Sequence, residues 1–533
     1  MLKLYVIGID GATYRIIRPL VEAGKLPNIA RMLHEGCSGR LASTVPPLSP
    51  VAWTTITTGA TPAVHGIIDF LGYNKTTGKN YLFDSTHRQV DPVWTLAGKV
   101  GKRSCVVNVP LTYPVDELNG FMISGLGTPP TNEGLAYPLE EFKKMKHSIG
   151  GYHIDIDIQE NQKYEKVAAL FQKVMEKRQK CFDFLLDREP WDLFFFVFTN
   201  TDRAQHVYWR EHDAENSPFS DVIAECYQEA DRAVGKAMAK AEAEGGVVMI
   251  VSDHGFGPLK NRFSLSSWLH SKGMLTPNRT MERENPLKGV IKKHVPTRLK
   301  KFLIRTVFKS RQKFSGSSAE LTKWIDWEKT KIYSHKKVDT VYLFVNDAAF
   351  ADSAQRSTFI EEFRKELLAV QDPETGENIV LDVLDGHQFF GTDNPSAPDL
   401  MFLPADGYNF SFDSRDIELD DPFVGIPQLW SGTHESEGIF MAWGEHINAG
   451  QDCGDLSIMD ALPTMCYIMD LPIPCWAKGK VIKQAFSKIF LRDHQERRDE
   501  SSGTGSQGGV QGGAMNEAES EEVVKRLKAL GYL

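Results

Sequence analysis

Short apolar runs alternate with longer amphipathic stretches along most of the chain, and that alternation predicts an α/β fold. Residues 4–9 form a nearly continuous, β-branched apolar run, as in a strand buried on both faces of a parallel sheet. Residues 26–33 read as a short helix with Pro27 near its start, and residues 39–45 as the next strand. Strand texture returns at 103–110 and 121–125. A helix over 164–187 feeds the clearest buried strand, 191–198, and a helix over about 220–244 feeds the strand 246–251. Later, 339–346 and 399–403 read as strands, 357–370 as a helix, 439–443 as a strand after the loop 430–438, and 457–470 as a helix beside the sheet.

The interruptions in this pattern divide the chain. Residues 1–270 carry the first part of a core, with polar surface insertions at about 67–95 and 128–160. Residues 271–335 form a basic helical insertion, in which Lys288, Lys292, Lys293, Arg298, Lys300, Lys301 and Arg311 interleave with Val295, Leu299, Phe302 and Leu303. Two readings of 288–313 are open: peripheral contact with an anionic membrane or an anionic substrate, or an inserted cap whose lysines are merely solvated. Residues 336–485 return to the core, 486–515 read as a flexible linker, and 516–533 as an amphipathic helix. Its stripe of Val523, Val524, Leu527 and Leu530 needs a docking surface, on this chain or on a partner, because so short a helix is unstable alone.

Composition narrows the setting. With 533 residues, 41% hydrophobic and 25% charged, burial is not limiting. A net charge of -9 gives no overall attraction to nucleic acid, so no specific nucleic-acid binding is expected. Seven scattered cysteines without a CxxC pair fit a reducing compartment. The first residues pass directly into a strand without a cleavage-site pattern, and the expected location is cytoplasmic.

Chemistry-bearing residues sit where the strands end. Asp10 closes the first strand, Asp202 and His206 follow the strand at 191–198, and Asp253 and His254 follow the strand at 246–251. In open α/β sheets, ligands gather at the carboxyl ends of strands. Asp202 and His206 have the i, i+4 spacing that puts both on one helix face. Asp10 and Asp202 are also helix-cap candidates. His434 lies among small residues in Gly432-Thr433-His434, a setting that suits a ligand. Ser49, ahead of Pro50 and a run of small residues, is either a plain helix cap or a nucleophile at a helix N-terminus. Oxygen and imidazole donors without thiolate suit zinc or manganese, and there are enough of them for two ions. Two ions beside Ser49 favour the nucleophile.

These segments, Gly8-Ile9-Asp10-Gly11, Ser49 through Thr58-Gly59 and Pro62 to His65-Gly66-Ile67, Asp202 with His206, Ser252-Asp253-His254-Gly255, and Gly432-Thr433-His434, resemble in content and order the alkaline phosphatase superfamily. The match is to its type I phosphodiesterase/nucleotide pyrophosphatase family, prokaryotic type. The resemblance implies a three-layer α/β/α sandwich with a largely parallel central sheet and inserted cap segments. It implies a metallohydrolase of phosphodiester or phosphoanhydride bonds, acting on a small-molecule or nucleotide-like substrate through a covalent phospho-seryl-type intermediate. Asp10, Ser49, Asp253 and His254 would bind one divalent ion and Asp202, His206 and His434 the other, with zinc the usual metal. His65 and His387 are assigned structural places. Family nucleotide pyrophosphatases are expected to place an asparagine where this chain has Ala52, and sulfatases an arginine where it has Trp53. Two alternatives remain at this stage: a phosphomonoesterase or phosphotransferase on the same site, and a non-catalytic scaffold.

Overall fold

The computed structural model describes residues 2–278, 324–500 and 515–532, apart from positions 76, 131–133, 157, 159–161, 215, 393, 428 and 531. The basic stretch 288–313 and the glycine-serine run 501–509 lie outside the described residues.

A nine-stranded sheet runs through the molecule: β1 (Lys3–Ile9), β2 (Cys37–Ala42), β3 (Ser104–Val109), β4 (Gly120–Ser124), β5 (Ala136–Tyr137), β6 (Leu193–Phe198), β7 (Gly246–Val251), β8 (Glu437–Gly444) and β9 (Gln451–Ser457). Across the sheet the order is β9-β2-β8-β7-β1-β6-β3-β4-β5. Only β8 and β5 run against their neighbours; the other pairings are parallel. Parallel strands need crossovers, and the helices that make them cover both faces. The sequence of β6 shows the consequence. Phe194, Phe196 and Phe198 enter one apolar cluster, Leu193, Phe195 and Val197 the other, and none has exposed surface. The first face is covered by Pro27–Glu35, Tyr164–Arg188 and Val222–Glu244, the second by Ser49–Thr58, Val93–Lys99 and Ala461–Ile468. This is the expected α/β/α sandwich.

A second sheet of four strands, Ile332–Tyr333, Tyr342–Val345, Leu400–Pro404 and Val380–Asp385, is antiparallel throughout and forms a cap. Its helix Ser353–Leu368 buries Phe359, Phe363 and Leu367. The strands expected at 339–346 and 399–403 are both here, so the chain rejoins the central sheet at β8 rather than at residue 336. Apolar alternation marks a strand but not the sheet it pairs into. The cap is tied to the core by a buried ion pair, Lys336 Nζ to Asp69 Oδ2 at 2.8 Å, and by Tyr342, whose hydroxyl donates to the Ile68 carbonyl at 2.7 Å.

The linker expected from 486 starts later. Phe486 and Phe490 pack beside Tyr467, and Arg498–Asp499 pairs with Ile473–Pro474. These aromatic anchors outweigh the polar composition around them. The last helix, Glu517–Ala529, docks on this chain: Val523, Leu527 and Leu530 belong to the main apolar cluster. No helix among the described residues is long and apolar enough to cross a membrane.

Candidate active site

Three adjacent parallel strands aim at one point. Asp10 follows β1, Asp202 lies on the helix Asn200–Asp213 that follows β6, and Asp253 and His254 follow β7. All four are fully buried. Gly11 makes the turn after Asp10 at φ 64°, and its N–H donates to Asp253 Oδ1 at 3.1 Å. A Cβ on Gly11 would lie 2.9 Å from Phe256 and 3.3 Å from the His254 ring. His434 was expected in a loop but sits on a short strand, Gly432–Glu435, paired antiparallel with Gly255–Pro258. That pairing stacks its ring on His254, centroids 3.7 Å apart. Ser49 opens the helix Ser49–Thr58, with its Oγ 3.3 Å from His254 Nε2.

The three imidazoles share one wiring. Nδ1 of His206 lies 3.1 Å from the Gly432 carbonyl, Nδ1 of His434 3.0 Å from the Pro47 carbonyl, and Nδ1 of His254 2.9 Å from the Gly255 carbonyl. A carbonyl can only accept, so each Nδ1 carries the proton and each Nε2 presents a lone pair. Those lone pairs face one another and the carboxylates. His206 Nε2 is 3.0 Å from His434 Nε2, and Asp202 Oδ1 is 3.2 Å from His434 Nε2 and 3.6 Å from His206 Nε2. His254 Nε2 is 3.2 Å from Asp253 Oδ2 and 3.8 Å from oxygens of Asp10 and Asp202. Asp10 Oδ1, Asp202 Oδ1 and Asp253 Oδ2 are buried without a hydrogen-bond partner. Acceptors turned toward acceptors with no donor between them fit divalent cations. Two donor sets have the required spacing, Asp10 with Asp253 and His254, and Asp202 with His254 and His434.

The electrostatics agree. Burial, with Asp253 and Asp202 close by, pushes the Asp10 carboxyl well above its ordinary value, and burial raises Asp253 to about 7. Burial brings His206 and His434 down to about 4 and keeps both neutral. Asp202 goes the other way: burial opposes ionisation, but the Arg203 guanidinium in contact with it holds it well below the usual carboxylate range. Burial thus opposes charge on Asp10 and Asp253, and positive charge from a ligand would be needed to hold all three acids ionised together.

A sequence model of the type I phosphodiesterase/nucleotide pyrophosphatase family matches residues 4–421. The chain belongs to that family. Among solved structures it is similar to murine ectonucleotide pyrophosphatase/phosphodiesterase 5, an inactive variant in complex with AMP, at 14% identity and a TM-score of 0.50, over 91% of this chain and 100% of that one. This second likeness is one of fold. A comparison with curated proteins finds no match. The chain is a phosphodiesterase/nucleotide pyrophosphatase-type enzyme, and the family uses divalent metal ions.

All seven residues singled out in the sequence of this phosphodiesterase meet at the site, and the two histidines set aside do not join it. His65 is buried, accepts from the Ile67 N–H at 3.1 Å and contacts Thr55 Oγ1 at 3.1 Å, bracing the turn after the Ser49 helix. His387 lies in the cap, 3.6 Å from Asp399. Position 52 is not a substrate contact: Ala52 is fully buried in the cluster with Leu4, Val6 and Ile56. Helical spacing turns that position into the core. Trp53 Nε1 donates to Asp10 Oδ2 at 3.4 Å, so it supports a ligand where a sulfatase would need arginine.

The sequence reading missed three contributors. Arg203 is fully buried and donates to Asp202 Oδ2. Asp155, from the 128–160 insertion, pairs with Arg203 at 2.9 Å. Tyr532 donates to Asp202 Oδ2 at 3.2 Å. An arginine beside a ligand on a buried helix was a usable signal; for the other two, local sequence held none. Beside the site, a cleft is lined from the core by Pro46, Leu48, His206 and His434, and from the cap by Val341, Leu381, Leu403 and Phe410.

Proposed function

We propose that this enzyme cleaves phosphodiester or phosphoanhydride bonds with Ser49 as nucleophile and two zinc ions as cofactors. Asp10, Ser49, Asp253 and His254 would hold one ion, and Asp202, His206 and His434 the other. The observation that carries this reading is the ring of unprotonated Nε2 atoms and unpartnered carboxylate oxygens around the Ser49 hydroxyl. When bound, the ions would acidify that hydroxyl and offset charge on the phosphoryl oxygens.

The chain's own groups do the rest. Ser49 Oγ loses its proton to solvent water and attacks phosphorus, the bond to the leaving oxygen breaks, that oxygen departs and takes a proton from water, and a phospho-seryl ester forms. Water attacks that ester in a second displacement and frees Ser49. Burial of Asp10, Asp202, Asp253 and His254 limits solvent at the reacting atoms, and the carbonyls of Gly432, Pro47 and Gly255 keep the imidazoles from turning. The cleft between core and cap gives the leaving group a partly apolar wall. AMP in the murine neighbour makes nucleotide-like diesters the first substrates to try.

The test couples elemental analysis of the purified protein with turnover of chromogenic mono- and diesters before and after chelation. The expected result is about two zinc per chain, preference for diesters, and activity that chelator removes and zinc restores. Protein with no bound metal and no turnover after zinc loading would overturn the reading. Faster cleavage of monoesters would shift the assignment to a phosphomonoesterase.

A further inference from the structure

The two oxygens of Asp202 face different worlds. Oδ1 looks into the ring of imidazoles, while Oδ2 looks outward to Arg203 and to Tyr532, a residue 330 positions away along the chain. Tyr532 is 2% exposed, and its hydroxyl sits in a chain of hydrogen bonds. It accepts from Arg203 Nη1 at 2.5 Å and donates to Asp202 Oδ2 at 3.2 Å. The ring is held as well: the Arg203 guanidinium lies 4.9 Å from its centroid, and Phe70 meets it edge-on at 5.4 Å. The rings of His206 and His434 are each 6.3 Å away, so the phenol closes the side of the site where those two candidate ligands stand.

Among the described residues near Tyr532 in sequence, the helix before it supplies the anchor, and the Tyr532 N–H donates to the Leu527 carbonyl at 2.9 Å. Glu517–Ala529 begins with a capping box between Asn516 and Glu519 and is keyed into the core by Val523, Leu527 and Leu530, none more than 3% exposed. They share the main apolar cluster with Leu126, Phe142 and Val174, and together with these they line a cavity beside the helix. Thirteen residues make a marginal helix in water, so its order depends on docking, and the position of Tyr532 depends on the helix.

We propose that the segment 515–532 is a working part of the active site, with Tyr532 a positioning residue that fixes the carboxylate of Asp202 toward its cation. The proposal rests on the two-ion reading above. A carboxylate gripped at Oδ2 cannot swing its other oxygen out of the ion's reach. Groups that orient a ligand from outside in this way are worth roughly 10- to 100-fold in metal affinity. The alternative, a tail that obstructs the site until removed, predicts the opposite sign of effect.

Full-length Tyr532→Phe, Leu527→Asp and, as a control, Lys525→Ala at an exposed position are compared with the parent protein. Each is loaded with zinc and titrated with a chelator, with bound metal counted by elemental analysis and diester turnover followed in parallel. Tyr532→Phe keeps the ring and should unfold at the parental midpoint, yet release one of its two ions at about tenfold lower chelator concentration. Leu527→Asp, which undocks the helix, should release the same ion at least as readily, while Lys525→Ala should match the parent. Parental metal retention in both Tyr532→Phe and Leu527→Asp overturns the proposal, as does faster turnover in Leu527→Asp. A parent protein that binds no zinc would instead sink the two-ion reading, and the inference with it.

Discussion

At the carboxyl ends of β7, β1 and β6 the side chains that face the centre are carboxylates and imidazoles, each held from behind by a backbone group, Trp53 or Arg203. Across the cleft, the cap meets the same space with Val341, Leu381, Leu403 and Phe410. The first region is costly to build, since buried charge must be organised by neighbours or by ions. The second is a mixed wall, with Asp339, Asp406 and Asn409 among these apolar side chains, and it is tied to the core by contacts such as the Lys336–Asp69 ion pair. On the proposed reading the difference divides the labour: bond breaking would belong to strand ends that cannot shift without unfolding the sheet, and discrimination among leaving groups to a body that can vary.

The sharpest way to break that division is to remove Ser49, the nucleophile proposed above. Ser49→Ala should lower kcat/KM by about 10^4-fold or more, the scale lost when a hydrolase loses its attacking group. The thermal midpoint should stay parental, because Ser49→Ala removes a single hydroxyl, while the ion proposed at Asp10, Asp253 and His254 loses one ligand and should be released at lower chelator concentration. Turnover within about tenfold of the parent would move the chemistry away from the strand ends.

The next largest effect should come from the strut between the regions. Lys336 and Asp69 are both almost wholly buried, and Lys336→Met would leave Asp69 without its cation. Breaking such a pair costs about 3–5 kcal/mol, read from urea denaturation. Replacing both, with Asp69→Leu alongside Lys336→Met, should recover most of the loss. A double variant no better than the single one would mean that Asp69 serves the site rather than the junction.

Legibility in the sequence follows the same division. The strand ends could be read because β1, β6 and β7 are continuous apolar runs that stop at an acid, and burial on both faces leaves little other explanation. In the cap, two strands and the helix were readable, but Ile332–Tyr333, Val380–Asp385 and the sheet they complete were not, since pairing partners are chosen across long separations by packing. Phe486 and Phe490 hid an ordered stretch inside a polar composition. Tyr532 left no local sign at all: its meaning lies in Arg203 and Asp202, hundreds of residues earlier, and only the fold brings them together. Ala52, where the family is expected to place an asparagine, shows the converse case: helical spacing gives the position to the core.

A third test asks whether charge burial in the core extends beyond the ligands. Glu229 lies beneath the site, with Oε2 accepting from Asn200 Nδ2 at 2.8 Å and Oε1 unpartnered. Burial raises its carboxyl to about 7. The folded chain thus keeps this proton up to about pH 7, whereas the unfolded chain gives it up near the ordinary value of 4.5. The stabilising contribution is complete below 4.5 and is lost as pH rises through 7. Glu229→Gln removes the loss, so relative to the parent the variant should gain up to ~3 kcal/mol in unfolding free energy from the acid to the alkaline side of that window. Parallel pH profiles for the two proteins would show that Glu229 is ionised in the fold.

The smallest effect belongs to the cap wall. Leu381 lines the cleft while 59% exposed, so its side chain is not needed to fill the cap core. Its exposed apolar surface gains a use only when a leaving group covers it. Leu381→Asn should therefore raise KM for diesters with bulky apolar leaving groups by about tenfold, the scale of one lost apolar contact, and leave kcat unchanged. Diesters with small leaving groups should not notice the change. Equal losses across both substrate series, or a fall in kcat, would show that the cap reaches the reacting atoms and that the two regions share the chemistry.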